Sequence, residues 1–419
     1  MEKIKVGVVG VYRGGSMMKY CNIADNAELV AICDKWVEGL ERKKKELNND
    51  GITYYTDFEE FIKHDMDAVV LANYANEHAP FAIKCLKAGK HVFSEVLPVQ
   101  TMKEAVELIE AVEETGLIYA YGENYCYMPA PYEMRKLYRA GKIGEFEYGE
   151  GEYVHNCEPI WHKITYGDRS HWRNHMYANF YCTHSIGPLV HITGLRPVKV
   201  TGFESGLTER KLRNGSYSGL FGIEMIEMEN GGIVKSIHGD LYKDSIWYTV
   251  YGSKGRMESA REDAKLEDVK TIYVNADESS GAYGTKKLET YKPTMGAEGK
   301  DSSFGHGGSD FYSMYHFIEK IKGNPDADTI DVYEALDMFL PGMFAYRSVL
   351  AGGIPMEIPN LRDPEVREKW RHDTACTDPK VAGDQLLPVF SKGNAEIPEE
   401  IYDKVKEKWY AHLEQIAKK

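Results

Sequence analysis

Two groups of residues in this chain have types and spacings that can do chemistry. The first is Gly7-Val8-Val9-Gly10-Val11-Tyr12-Arg13-Gly14-Gly15, a glycine-rich run that closes a β-branched stretch and opens a helical one. Glycines there let backbone N–H groups approach a phosphate, and the positive end of the following helix stabilises the negative charge. Tyr12 stands where the middle glycine of GxGxxG falls if Gly10 and Gly15 are the outer pair. Asp34 supplies the second half of the pattern about 20 residues on, where a strand-end carboxylate accepts hydrogen bonds from an adenosine ribose and repels a 2′-phosphate. Together they predict an NAD site, with Gly10, Tyr12, Arg13, Gly14, Gly15 and Asp34 as cofactor-binding residues. The second group is histidine-rich. Of 14 histidines, six lie in one short span: His155, His162, His171, His175, His184 and His191. Imidazole titrates near pH ~6.5 and so exchanges protons at neutral pH, but six cannot all be catalytic. His191 follows Val190 in an apolar, helix-like run and is expected to be packed. His171 and His175 are spaced i, i+4, which on a helix would put two metal ligands on one face. Acids nearby are few, and no metal is expected.

The elements that must position these groups follow from periodicity. Ile4 to Val9, Leu29 to Cys33, Ala68 to Leu71, His91 to Phe93 and Leu117 to Tyr121 read as buried strands bounded by Gly, Asp or Asn. Ser16 to Ile23, Val37 to Leu47, Ala79 to Ala88 and Met102 to Glu114 alternate with them at helical spacing. Such alternation predicts a parallel, doubly wound sheet. From Gly144 the pattern changes to longer alternating segments: Phe146 to His155, Val198 to Phe203, Phe221 to Met228, Ile233 to His238 and Trp247 to Tyr251. Glu229-Asn230-Gly231-Gly232 joins two of them as a hairpin turn. The fold class is therefore α/β, a Rossmann domain with a parallel sheet followed by an α+β domain with a large, mostly antiparallel open sheet. The expected boundaries are 1–124, 125–360 and a C-terminal extension, 361–419. Asp277 to Gly284 and Thr294 to Gly308 read as long loops. Ser309 to Ile321, Val332 to Leu350 and Pro398 to Lys419 read as helices, the last a charged surface helix for packing or oligomer contact.

Composition narrows the function classes. The 65 acidic against 51 basic residues leave a net charge of −14, and no Lys/Arg block interrupts it, which disfavours a nucleic-acid partner. No apolar run approaches the ~18 residues of a membrane span, and Met1-Glu2-Lys3 leads straight into a strand, unlike a signal peptide. Seven scattered cysteines without a CxxC pair suit a reducing compartment. A cytoplasmic protein is expected.

Asp67 to Asn73, then His78, then Ala88-Gly89-Lys90-His91-Val92-Phe93-Ser94-Glu95 resemble, in that order, the Gfo/Idh/MocA oxidoreductases, and the likeness runs to about Pro359. The resemblance implies that Asn73, His78, Glu95 and Asn124 join the cofactor site. There is one departure: where the family's Glu-Lys-Pro carries a catalytic lysine, this chain has Glu95-Val96-Leu97, and valine carries no proton. A narrower resemblance supplies another group. Glu123 to Tyr127, Gly149 to His155, Tyr181 to Pro188, Gly305 to Phe311 and Asp331 to Tyr333 are similar to motifs of the NAD-dependent glycosidases of family 109, which also have valine at that position. The likeness maps their active-site tyrosine and histidine onto Tyr181 and His184, and a further tyrosine onto Tyr153. His184 also stands ten residues before Gly194, the spacing of the wider family's catalytic histidine.

The resemblance implies a redox route to glycoside cleavage. NAD takes a hydride from the sugar C3, the resulting ketone acidifies the C2 proton, a base removes it, and the C1 group leaves. Water then adds and the hydride returns. His184 suits the proton transfer, and Tyr181 a proton relay or a hydrogen bond to the C3 oxygen. Trp172, Arg173, Asn174 and His175 are expected to shape the sugar pocket, an indole face stacking on sugar C–H surfaces and the polar groups meeting hydroxyls. His306, in a glycine-rich segment, is a further candidate for substrate contact. Arg173, Lys163 and Arg169 leave room for an acidic or sulfonated sugar. Two other readings stay open: a glycoside 3-dehydrogenase that releases a 3-keto glycoside, and a non-catalytic NAD(H) or sugar sensor. The expected partners are a small glycoside and, by resemblance, further copies of the chain in a homo-oligomer.

Overall fold

The computed structural model describes residues 2–261, 270–276, 288–295 and 304–417. They divide into two compact units with an interleaved chain: Met1–Glu133, Lys292–Leu336 and Leu361–Asp373 form the first, and Met134–Tyr291, Asp337–Asn360 and Thr374–Lys419 the second. This differs from three contiguous segments. The physical reason is that two late segments complete the core of the first unit. The helix Ser309–Ile321 brings Phe317 to 5.6 Å from Phe93 and Phe311 to 5.2 Å from Tyr20 between ring centroids. The helix Pro364–Trp370 and the residue after it pair with Met102–Thr115 through Arg367–Glu113, 2.7 Å, and Arg371–Glu110, 2.6 Å.

The first unit holds a six-stranded sheet of β1 Ile4–Val9, β2 Ala27–Cys33, β3 Thr53–Tyr55, β4 Ala68–Leu71, β5 His91–Ser94 and β6 Tyr119–Tyr121, in the order β3-β2-β1-β4-β5-β6. Every pairing is parallel. Val6, Val8, Val69, Val70 and Leu71 are fully buried, as strands covered on both faces require. Strand order reverses between β1 and β4, which is where open α/β sheets bind ligands beyond their carboxyl ends.

The second unit is built on a nine-stranded sheet. Its strands are β7 Phe146–Val154, β8 Pro197–Glu204, β9 Phe221–Met228, β10 Ile233–Gly239, β11 Ser245–Gly252, β12 Gly255–Ser259, β13 Ile272–Asn275, β14 Glu289–Tyr291 and β15 Met356–Glu357, in the order β14-β13-β12-β11-β7-β10-β9-β8-β15. All pairs are antiparallel except β7 with β10. The turn after β9 forms as the sequence predicts, with Gly231 at φ 86° and Asn230 bonded to the Phe146 carbonyl at 2.8 Å. The helix Thr183–Thr193 lies on β7 so closely that a Cβ at Gly151 would fall 1.8 Å from the Ser185 carbonyl oxygen. Only glycine permits that approach.

The C-terminal helix spans Glu399–Ala417 and is used for packing within the second unit. Trp409 meets Tyr166 at 4.9 Å, and Tyr402 donates to the Gly215 carbonyl at 3.0 Å. Of the two expected long loops, 277–284 lies outside the described residues, and only 294–295 and 304–308 of the other are described.

Candidate active site

In the first unit, the expected cofactor residues collect at the carboxyl ends of the parallel strands. Gly10 follows β1 with φ 99°, and a Cβ there would sit 2.4 Å from the Ala72 carbonyl oxygen. Gly14 is equally confined, at 2.3 Å from the Gly10 carbonyl, while Gly15 faces open space and begins the helix Gly15–Ile23. Asp34 follows β2 and holds the loop: its carboxylate accepts from the Val11 and Trp36 N–H groups, each at 2.8 Å. Lys35 is drawn away into a pair with Glu77 at 2.7 Å. Tyr12 is 73% exposed at the loop tip.

Arg13 turns instead into a charged network. Its guanidinium makes two hydrogen bonds of 2.9 Å to Asp310 and an ion pair of 2.7 Å to Glu95. Asn124 donates to the same Asp310 at 3.0 Å, and His306 Nδ1 stands 3.3 Å from it. Burial pushes the Glu95 carboxyl up to about 6 despite Arg13. At Asp310 burial is outweighed by the bonds from His306 and Arg13, and its carboxyl is held well below the usual range. Burial works against the Arg13 charge, but Glu95 and Asp310 outweigh it and hold the guanidinium above its ordinary value. His78 is buried, its Nδ1 2.9 Å from the Leu97 carbonyl, and burial pushes it down to about 4. His306 adopts φ 54° and is followed by Gly307 and Gly308 at 68° and 94°, a left-handed run that a histidine rarely adopts. The structure thus assigns His306 to the Arg13–Asp310 network of the first unit.

The second unit brings the other candidates together. Tyr153 on β7 meets the His184 ring edge-on at 4.6 Å, and Tyr181 meets it at 5.2 Å and 71°. His184 is 6% exposed near the start of its helix, and its carbonyl accepts from Tyr248 at 2.6 Å. Arg173 donates to the Tyr181 hydroxyl at 3.3 Å and lies over the Trp172 and Tyr181 rings at 4.6 and 4.9 Å.

The neighbours of Arg173 behave differently from expectation. Trp172–His175 is a 3₁₀ turn, so His171 and His175 do not share an α-helical face. Both nitrogens of His175 are engaged, by the Arg169 carbonyl at 3.0 Å and Tyr217 at 2.8 Å. Asn174, 1% exposed, uses its amide on Trp161 and the Asp168 carbonyl, at 3.2 and 2.8 Å. Asn174 and His175 therefore brace the segment, and Trp172 and Arg173 are the side chains it offers. Arg169 is committed to Glu399 at 3.0 Å. His191 is buried at 1% exposure. Asp310 and Lys211 escaped the sequence reading; Asp310 lies 297 residues from Arg13, and no local pattern links them.

Residues 4–123 match the oxidoreductase family GFO_IDH_MocA, described as an NAD-binding Rossmann fold, and residues 224–371 match the glycosyl hydrolase 109 C-terminal domain. The chain thus carries a Gfo/Idh/MocA-type NAD-binding Rossmann domain and a glycosyl hydrolase 109-type C-terminal domain. A relative from Solibacter usitatus named "Glycosyl hydrolase family 109 protein" is 26% identical over 408 residues, which cover 88% of this chain and 89% of that protein. Among solved structures, levoglucosan dehydrogenase in complex with NADH and L-sorbose superposes with TM-score 0.69 at 17% identity, over 86% of this chain and 100% of that one. Aldose-aldose oxidoreductase from Caulobacter crescentus complexed with glycerol gives 0.68 at 17%, over 85% and 100%. At these identities the two structures show the shared fold.

The family's cofactor is NAD, and the residues present fit it. The confined Gly10 and Gly14 leave backbone where a pyrophosphate needs close approach. Asn73 and Asn124, beyond β4 and β6, each keep a buried side-chain oxygen with no hydrogen-bond partner among the described residues, so two acceptors are left for a ligand.

Proposed function

We propose that the chain is an NAD-dependent glycoside-processing enzyme that oxidises a pyranoside at C3 and cleaves it by elimination, hydration and reduction. What supports the reading most is the packing of Tyr153 and Tyr181 around His184, in a chain with valine where the wider family has its lysine. Bound NAD supplies the acceptor for the C3 hydride and the source from which it returns. The glycine loop, Asp34, Asn73 and Asn124 hold the cofactor, and Glu95 and His78 line its site. Tyr181, whose oxygen accepts from Arg173, relays the C3 hydroxyl proton to solvent as the hydride leaves and relays it back when the ketone is reduced. His184 takes the C2 proton once C3 is a ketone; the C1–O bond then breaks with its electron pair going to the leaving oxygen. After water adds at C1, the imidazolium returns a proton to C2. Tyr153, edge-on to the ring, fixes the orientation of the imidazole, and Trp172 offers an apolar face to the sugar.

The exposed Phe203 and Met225 on β8 and β9 suit a second copy of the chain in a homo-oligomer. The seven cysteines form no disulfide, which suits the cytoplasm.

The test is to incubate NAD-loaded protein with aryl glycosides in deuterated water. Free sugar carrying deuterium at C2, without net NADH, is the expected result. Stoichiometric NADH with an intact keto glycoside would replace the reading by a simple 3-dehydrogenase, and no turnover of any sugar would leave a sensor.

A further inference from the structure

Lys211 sits on the short helix Glu209–Leu212 of the second unit and is only 5% exposed. Its ammonium lies 5.5 Å over the Trp161 ring, and among the described residues it makes no hydrogen bond and no ion pair. The acids nearby are already used. Asp240 accepts from Arg210 and from the Cys157 N–H, each at 3.0 Å, and Glu158 takes Arg210 at 2.8 Å and Arg213 at 2.6 Å. Among the described residues Arg173 has no carboxylate partner either; its guanidinium meets two aromatic faces and a phenol.

Trp161, which lies under the Lys211 ammonium, donates its indole N–H to Asn174, the residue after Arg173, at 3.2 Å, so the two cations flank one segment. Burial lowers the Lys211 ammonium, Arg210 and Arg173 add to the effect, and Asp240 and Cys157 oppose it. Cys157 also adjoins Arg173. A buried cation without a counter-ion opposes folding. The buried Lys211 and the half-buried Arg173, both without an ion pair among the described residues, are explained by an anion that arrives from outside the chain.

We propose that Lys211 and Arg173 form a subsite for an oxyanion carried by the sugar, a carboxylate or a sulfo group, so that the substrate is an acidic glycoside. The planar guanidinium can take two oxygens in a fork while the ammonium acts as a point charge. The inference rests on the glycoside reading above, because Arg173 also touches Tyr181.

The experiment is calorimetric titration of the NAD-loaded protein with methyl glucoside and methyl galactoside, the matching uronides and the matching 6-sulfates. In at least one series a charged form should bind ten-fold or more tightly than its neutral parent, with an advantage that shrinks as salt is added. Lys211→Met should remove ten-fold or more of that advantage and leave the neutral affinity and the NAD affinity unchanged; Lys211→Arg should restore most of it. Whether the uronide or the 6-sulfate gains more distinguishes carboxylate from sulfo group. Equal affinity of charged and neutral forms in both series, or no binding of any charged form, overturns the subsite. Preferential binding of charged forms without turnover would sink the redox reading and keep the subsite, whereas turnover of neutral glycosides without charge preference would do the reverse.

Discussion

Arg13 and Arg173 are each the arginine beside the expected chemistry of their unit, and their surroundings differ in kind. Arg13 has two carboxylates, Asp310 and Glu95, and Asp310 is shared with Asn124 and His306. Arg173 and Lys211 lie over aromatic rings, and among the described residues neither makes an ion pair. The first arrangement is complete within the chain and stiffens the loop that holds a cofactor through every turnover. On the proposed subsite the second is completed by a ligand, as suits a site that must exchange its occupant. On that reading the chain uses charge for permanence in one unit and for recognition in the other.

The sharpest way to break this contrast is at the reacting end. His184→Ala should lower turnover by about 10³-fold, the range for a general acid–base group, while NAD affinity stays as it was. Wild-type turnover in that variant would remove the second unit from the chemistry.

Stability separates the two charge environments next. Asp310→Asn takes one partner from a buried network and should cost about 3–5 kcal/mol. Lys211→Met removes an unpaired buried cation and should change stability by less than about 1 kcal/mol or raise it. Denaturant unfolding of the two variants checks this, and equal losses would erase the distinction.

Acid should find the first unit through His78. Its folded value near 4 lies below the ordinary 6.5, so the unfolded chain binds the extra proton. The stability of the neutral form is therefore present above pH 6.5 and is lost as pH falls towards 4, by up to about 3 kcal/mol. His78→Gln should flatten that slope in an unfolding series; an unchanged slope would mean that His78 does not control it. The smallest effect is expected at Arg169, which is 59% exposed and paired with Glu399. Arg169→Ala should leave the affinity for charged sugars unaltered, and a loss equal to that of Lys211→Met would place Arg169 in the subsite as well.

These contrasts also show what could be read from sequence. The parallel sheet was legible because each of its longer strands is a buried β-branched run ended by a polar or glycine residue, and Gly10 and Asp34 declare themselves by position. The hairpin at Asn230-Gly231 is local chemistry and formed where expected. The short strands β3, β12, β13, β14 and β15, of two to five residues, are too brief to show a period. The interleaved boundary was invisible, because helix Ser309–Ile321 reads the same whichever unit it packs on. The placement of His171 and His175 was open for a similar reason: i, i+4 spacing implies a shared face only on an α-helix, and Pro- and Gly-free spacing does not exclude a 3₁₀ turn. Nothing in the sequence around Lys211 sets it apart from the other lysines. Its burial depends on Trp161, 50 residues away in the chain, and no local pattern announces that.

The most direct test of the central claim is the isotope effect at C3. A glycoside deuterated at C3 should turn over more slowly than its protiated twin, with the deuterium recovered at C3 of the released sugar, because the label leaves on the cofactor and returns in the same cycle. Equal rates for the two substrates, together with bond cleavage in protein stripped of NAD, would contradict the account.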